Sequence, residues 1–275
     1  MSYASILVHA AAADAAAPRL ACARALADSF NATLIGLGAE MIPPLVPDSG
    51  YYSLQADWFV VMREAIEKNL KNARKAFDAA AMGLAKPALW ECGIQYPADA
   101  MARASRAADL IVASRTVGGN DAVYHDADPA ELAVTSGRPV LVTPPSGEAL
   151  DARRVVLAWK DTREARRAMS DAMPFFERAE SVLVLEVCAQ DDAADAKIRT
   201  DDVAEALCRH GVQAEAKVAP CHPADGHEIL RQASVFGAGL IVAGCYGHSR
   251  LGEWVFGGVT RDLLRQHDRH VLLSH

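Results

Sequence analysis

One stretch of the chain has the residue types and spacing for holding an anion. Gly244, Gly247, Gly257 and Gly258 punctuate a segment that follows the apolar run Leu240–Ala243 and leads into a helical pattern at Val259–Arg265. Glycine allows backbone turns that a side chain would block. A glycine pair just before a helix leaves the first N–H groups free, at the positive end of the helix dipole. Successive amides of this kind form a nest for a phosphate, and the hydroxyl of Thr260 can add a hydrogen bond. His248 and Arg250 stand within the same loop. The plain alternative is that these glycines only make tight turns.

Other chemistries fit less well. Gly247-His248-Ser249-Arg250-Leu251 approaches a nucleophile elbow, but its closing glycine arrives one residue late, at Gly252. The downstream Asp262 and His267 fall on or beside the following helix instead of in hydrolase positions. Cys221, His222 and His227 lack a second ligand pair at metal-binding spacing. Gly36-Leu37-Gly38 follows a strand without the third glycine of a dinucleotide fingerprint, and no Walker A sequence occurs. No general base, carboxylate pair or nucleophile–base couple emerges, so no catalytic residue is assigned, and slow ATP hydrolysis is the most activity expected.

The loop needs a scaffold, and the chain supplies it twice. Ser5–Val8 resembles Arg154–Leu157, and Ala32–Ile35 resembles Ser181–Leu185. Ala107–Ala113 matches Phe236–Ala243, and Gly137–Val142 matches Asp268–Leu273, in the same order. Thr143-Pro144-Pro145-Ser146-Gly147 has linker composition. The expected domains are therefore 1–147 and 148–275. Strands are expected at 4–9, 32–37, 87–93, 109–113 and 139–143, then 154–159, 181–188, 214–219, 239–243 and 270–274. They read as short buried runs without alternation, as in a parallel sheet covered on both faces. Helices are expected at 18–29, 55–83, 97–107 and 128–136, then 162–177, 194–210, 224–236 and 257–266. Trp58, Met62, Ala65, Leu70, Ala73 and Phe77 mark one face of the long helix. Asp161-Thr162 is a helix start, with Asp161 read as the cap. Strands alternating with helices give right-handed βαβ units and doubly wound, Rossmann-like sheets, with ligands at the carboxyl ends of the strands.

Composition bounds the rest. The chain has 275 residues and a net charge of −7, with no basic run, which argues against nucleic acid. Cys22, Cys92, Cys188, Cys208, Cys221 and Cys245 form no CxxC pair and read as reduced thiols, hence a cytoplasmic protein. No apolar run reaches the roughly 18 residues of a membrane span. The start lacks a basic n-region and carries Asp14, unlike a signal peptide.

The spacing G-x2-G-x9-G of Gly244, Gly247 and Gly257 resembles the ATP-binding signature of the universal stress protein A family. The resemblance implies two tandem five-stranded parallel-sheet domains of the adenine nucleotide alpha hydrolase-like kind, and a stress-response regulatory role. It implies ATP or a related adenine nucleotide, with or without Mg2+, held in the second domain by Gly244, Gly247, His248, Arg250, Gly257, Gly258, Val259 and Thr260. The end of the first strand, Ala158 to Thr162, would approach the nucleoside, and Val187 would pack on adenine. Two departures stand out. The family has Ser or Thr where this chain has Gly258, and Asp where it has Lys160. These favour the alternative of a nucleotide-independent interaction module; an enzyme acting on an anionic small molecule ranks below both.

In the first copy Ser114 replaces the first glycine, and Asp126 and Asp128 bring negative charge to the loop. A carboxylate about 4 Å from a phosphate costs about 4 kcal/mol at an effective dielectric of 20, about a thousandfold in affinity. One nucleotide per chain is expected. The family's single-copy members pair through their last strands, so the two copies here are expected to form an intramolecular pseudo-dimer, open to further dimerisation.

Overall fold

The computed structural model describes residues 2–11, 16–44, 55–115, 120–220, 225–245, 258–266 and 268–275. They fall into two compact units, one of Tyr3–Ser136 and one built on Gly137–His275.

In the first unit, β1 (Ser5–His9), β2 (Thr33–Glu40), β3 (Leu89–Ile94) and β4 (Leu110–Ser114) form a parallel sheet in the order β3-β2-β1-β4. Helices α1 (Ala17–Phe30), α2 (Gln55–Ala81), α3 (Pro97–Ala104) and α4 (Pro129–Thr135) alternate with the strands. The buried face of α1 is Leu20, Ala23, Leu26, Ala27 and Phe30, the period of a helix laid on a sheet. The long helix buries Leu70, Ala73 and Phe77 of the expected stripe, but Ile66 takes the inner position that was assigned to Ala65, which is exposed. Phe77 explains the glycines of β2. A Cβ on Gly36 would stand 2.5 Å from the Phe77 ring, and one on Gly38 would meet Trp90 at 2.9 Å. These glycines make room for aromatic packing.

In the second unit, β5 (Val140–Thr143), β6 (Arg154–Ala158), β7 (Ser181–Cys188), β8 (Ala214–Pro220), β9 (Leu240–Gly244) and β10 (His270–Ser274) take the order β5-β10-β9-β6-β7-β8. All neighbours are parallel except β5, which runs antiparallel to β10 with Val142 opposite Val271. The helices are α5 (Arg163–Asp171), α6 (Met173–Phe176), α7 (Ala193–Arg209), α8 (Asp225–Phe236) and α9 (Gly258–Arg265). The helix expected over 162–177 is two, because Pro174 cannot donate into the preceding turn.

The same frame underlies both units. Ile6 of β1 lies opposite Leu110 of β4, and Val155 of β6 lies opposite Leu240 of β9. Most strands are buried runs, but β3 and β8 are largely exposed, with β8 alternating, because each ends its sheet.

Candidate functional site

In each unit the chain winds outward from a central strand, then crosses to that strand's other side. The crossing places a topological switch point between β6 and β9 in the second unit, and between β1 and β4 in the first. Crevices at the carboxyl ends of such strands are where open α/β sheets bind ligands.

At the second switch point the side chains are small. Ala158, the last residue of β6, lies opposite Ala243 of β9, and Gly244 follows. A Cβ on Gly244 would stand 2.5 Å from the backbone N of Ala165 and 2.5 Å from the carbonyl carbon of Glu164. Gly244 thus lets the first turn of α5 press onto β9, a packing reason distinct from the loop turn that its motif suggests. Val187 is half-buried near the end of neighbouring β7, and Lys160 is exposed two residues beyond β6. Gly258 opens α9 and is exposed, with nothing among the described residues within 4 Å of where a Cβ would stand. Val259 is half-buried and Thr260 buried. Gly247, His248, Arg250 and Gly257 lie outside the described residues, as do Cys221 and His222.

The surroundings of α5 revise one reading. Its cap is Thr162, whose hydroxyl accepts from the N–H of Ala165 at 3.3 Å, while Asp161 pairs with Arg166. Glu164, in the first turn, is buried beside Arg163. Burial works to raise its pKa, but hydrogen bonds from the backbone, Thr162 and Arg163 prevail and hold it low. Cys245 is fully buried, which pushes its thiol up to about 12 and leaves it an inert hydrophobe. The indole Nε1 of Trp159, just past β6, is buried with no hydrogen-bond partner among the described residues.

The first switch point is filled with charge. His9 ends β1 and Ser114 ends β4, and between them lies the guanidinium of Arg19, from α1, at 1% exposure. Arg19 donates through Nε to the His9 carbonyl at 2.6 Å, and through Nη1 to Ser114 Oγ and to both oxygens of Asp126, each at 2.8 Å. His9 holds its ring with Nε2 3.0 Å from the Ala39 carbonyl, which requires a proton there, and Nδ1 3.0 Å from Asp126 Oδ1. Burial raises the pKa of Asp126, but the hydrogen bond with His9 and the charge of Arg19 outweigh it and hold the carboxyl at about 2. Asp126 is therefore not a free negative charge. Asp128 caps α4, accepting from the N–H groups of Ala130 and Glu131 at 2.8 and 3.0 Å. His9 and Arg19 escaped the sequence reading. The available signals were a histidine closing an apolar run and an arginine on the buried side of an alanine-rich helix.

Among the described residues no cluster of His, Cys, Asp or Glu is placed to hold a metal ion, and no helix is long and apolar enough to cross a membrane.

No family model and no curated protein matches the sequence. Solved structures do match. A universal stress protein from Archaeoglobus fulgidus DSM 4304 superposes with a TM-score of 0.69 at 16% identity, over 98% of this chain and 95% of that one. The chain has the universal stress protein fold. A putative universal stress protein from Pseudomonas aeruginosa UCBPP-PA14 shares that fold with a TM-score of 0.58 at 16% identity, over 99% and 93% of the two chains. A functionally unknown protein from Pseudomonas aeruginosa PAO1 does so at 0.56 and 16%, over 99% and 92%. The universal stress protein fold thus spans both units.

Proposed function

We propose that this chain is a tandem universal stress protein that binds one ATP, or a related adenine nucleotide, through its second copy, in a regulatory rather than a catalytic role. The observation that supports this reading is the contrast between the switch points. Where the first unit has His9, Ser114 and a buried arginine–aspartate pair, the second has the small uncharged residues Ala158 and Gly244 at the ends of the corresponding strands. The exposed amide end of α9 at Gly258 has the chemistry to meet a phosphate. In this reading Gly244, Gly247, His248, Arg250, Gly257, Gly258, Val259 and Thr260 surround the phosphates, with or without Mg2+. Ala158, Lys160 and Val187 border the nucleoside. The two copies form an intramolecular pseudo-dimer, a reading supported by the antiparallel pairing of β5 with β10.

Calorimetric titration with ATP tests the assignment. Saturation is expected near one equivalent per chain, and Gly257→Asp should abolish the heat while the fold persists by circular dichroism. A stoichiometry of two, or full-strength binding by Gly257→Asp, would overturn it. A nucleotide-independent interaction module is the second reading, favoured by Lys160 in the family's Asp position and by the missing hydroxyl at Gly258. Absence of any heat at saturating ATP would select it.

A further inference from the structure

We propose that the first unit contains an oxyanion site which the chain itself occupies, with the carboxylate of Asp126 as the internal ligand of Arg19. Arg19 is the cation of a built site. Its guanidinium is buried at the switch point, oriented by the His9 carbonyl and by Ser114 Oγ, and Nη1 reaches both carboxylate oxygens of Asp126 at 2.8 Å. A carboxylate and a phosphate are alternative partners for such a donor set. Asp126 arrives from the segment that joins β4 to α4, the same place in chain order as the segment joining β9 to α9 in the second unit. It is the most exposed member of the pair, with 22% of its side chain open against 2% for Arg19, so an anion from solvent can reach the position if the carboxylate leaves.

Tethering explains why the site is silent. A carboxylate held on the chain acts at a high effective concentration, which a free phosphate must exceed to displace it. Nor can Arg19 remain unpaired, because a buried cation without its partner is strongly destabilising. The first unit is therefore quiet through occupancy of its cation, and not through repulsion of phosphate by surplus negative charge. This holds whether or not the second unit takes a nucleotide.

Asp126→Gly in the full-length chain removes the internal ligand and leaves space for a free one. The probes are sodium acetate and inorganic phosphate, compared with chloride at equal ionic strength. The native protein should melt at the same temperature in all three. The variant should melt lower in chloride, then regain at least half of the loss, saturably, in acetate or phosphate. The Arg19 Nε–H resonance should shift over the same titration. Acetate alone restoring stability marks a carboxylate-sized site, and phosphate alone marks a phosphate site; both support the proposal. If the variant does not fold in chloride, it should fold when refolded with either anion. A variant that responds to neither anion, folded or unfolded, overturns the proposal. So does a stabilisation that leaves the Arg19 resonance unmoved.

Discussion

Single residues decide whether a strand end is a place for a ligand or a piece of core. His9 and Ala158 close the equivalent strands β1 and β6, yet one anchors a charge network and the other is a small buried methyl between Leu185 and Ala243. Another histidine shows the cost of burial. His270 opens β10 at 2% exposure, and its Nε2 has no hydrogen-bond partner among the described residues. Burial pushes its pKa down to about 4 from 6.5. The folded chain thus refuses a proton that the unfolded chain takes up. The associated stability is complete above about pH 6.5 and is lost as pH falls toward 4, by at most about 1.4 kcal/mol per pH unit. His270→Leu removes both the titration and the orphaned nitrogen, so urea unfolding of the variant should lose less stability than the parent between about pH 7 and pH 5. Equal losses in the two proteins would show that His270 does not titrate on unfolding.

At the scale of elements, patterning alone recovered nearly every strand and helix. The run 181–188 and the run 270–274 are strands over those same residues, and α1 lies over 17–30 where 18–29 was expected. Periodicity reports which residues face a core, so it is silent on what a sheet edge exposes: β3 and β8 are strands where expected, but they are not the buried runs they were read as. The candidate site was half legible. Glycine spacing pointed to Gly244, Gly247 and Gly257, of which only Gly244 is among the described residues, and the buried ion pair joins Arg19 to Asp126 across 107 residues, a separation no local pattern reports. The role of Gly244 likewise depends on a partner element. Its hydrogen faces the backbone of α5, and backbone cannot swing aside as a side chain can. Gly244→Ala should therefore push the first turn of α5 off β9 and cost about 1–3 kcal/mol. The measurement is a lowered urea midpoint with an unchanged m-value. A variant as stable as the parent would mean that α5 yields without loss.

At the scale of the whole molecule, the sequence repeat and the compact units divide the chain in different places. The repeat assigns Val140–Thr143 to the first copy, whereas β5 belongs to the unit that begins at Gly137. There it covers β10, with Val140, Leu141 and Val142 opposite Leu273, Leu272 and Val271. All six are buried. A chain cut at the repeat boundary, residues 148–275, would leave β10 with a bare apolar edge, the kind of edge that recruits another strand. The most available strand is the same β10 of a second molecule. Two copies related by a two-fold axis pair antiparallel, the sense in which β5 pairs now, and each satisfies the other. The fragment 148–275 should therefore dimerise, while the full-length chain, in which β5 covers that edge, should associate through it at least about tenfold more weakly. Sedimentation equilibrium on the fragment and the full-length chain reads the difference directly. Equal self-association would mean that β5 does not protect β10, and the covalent joining of the two copies would then need a reason other than the supply of this strand.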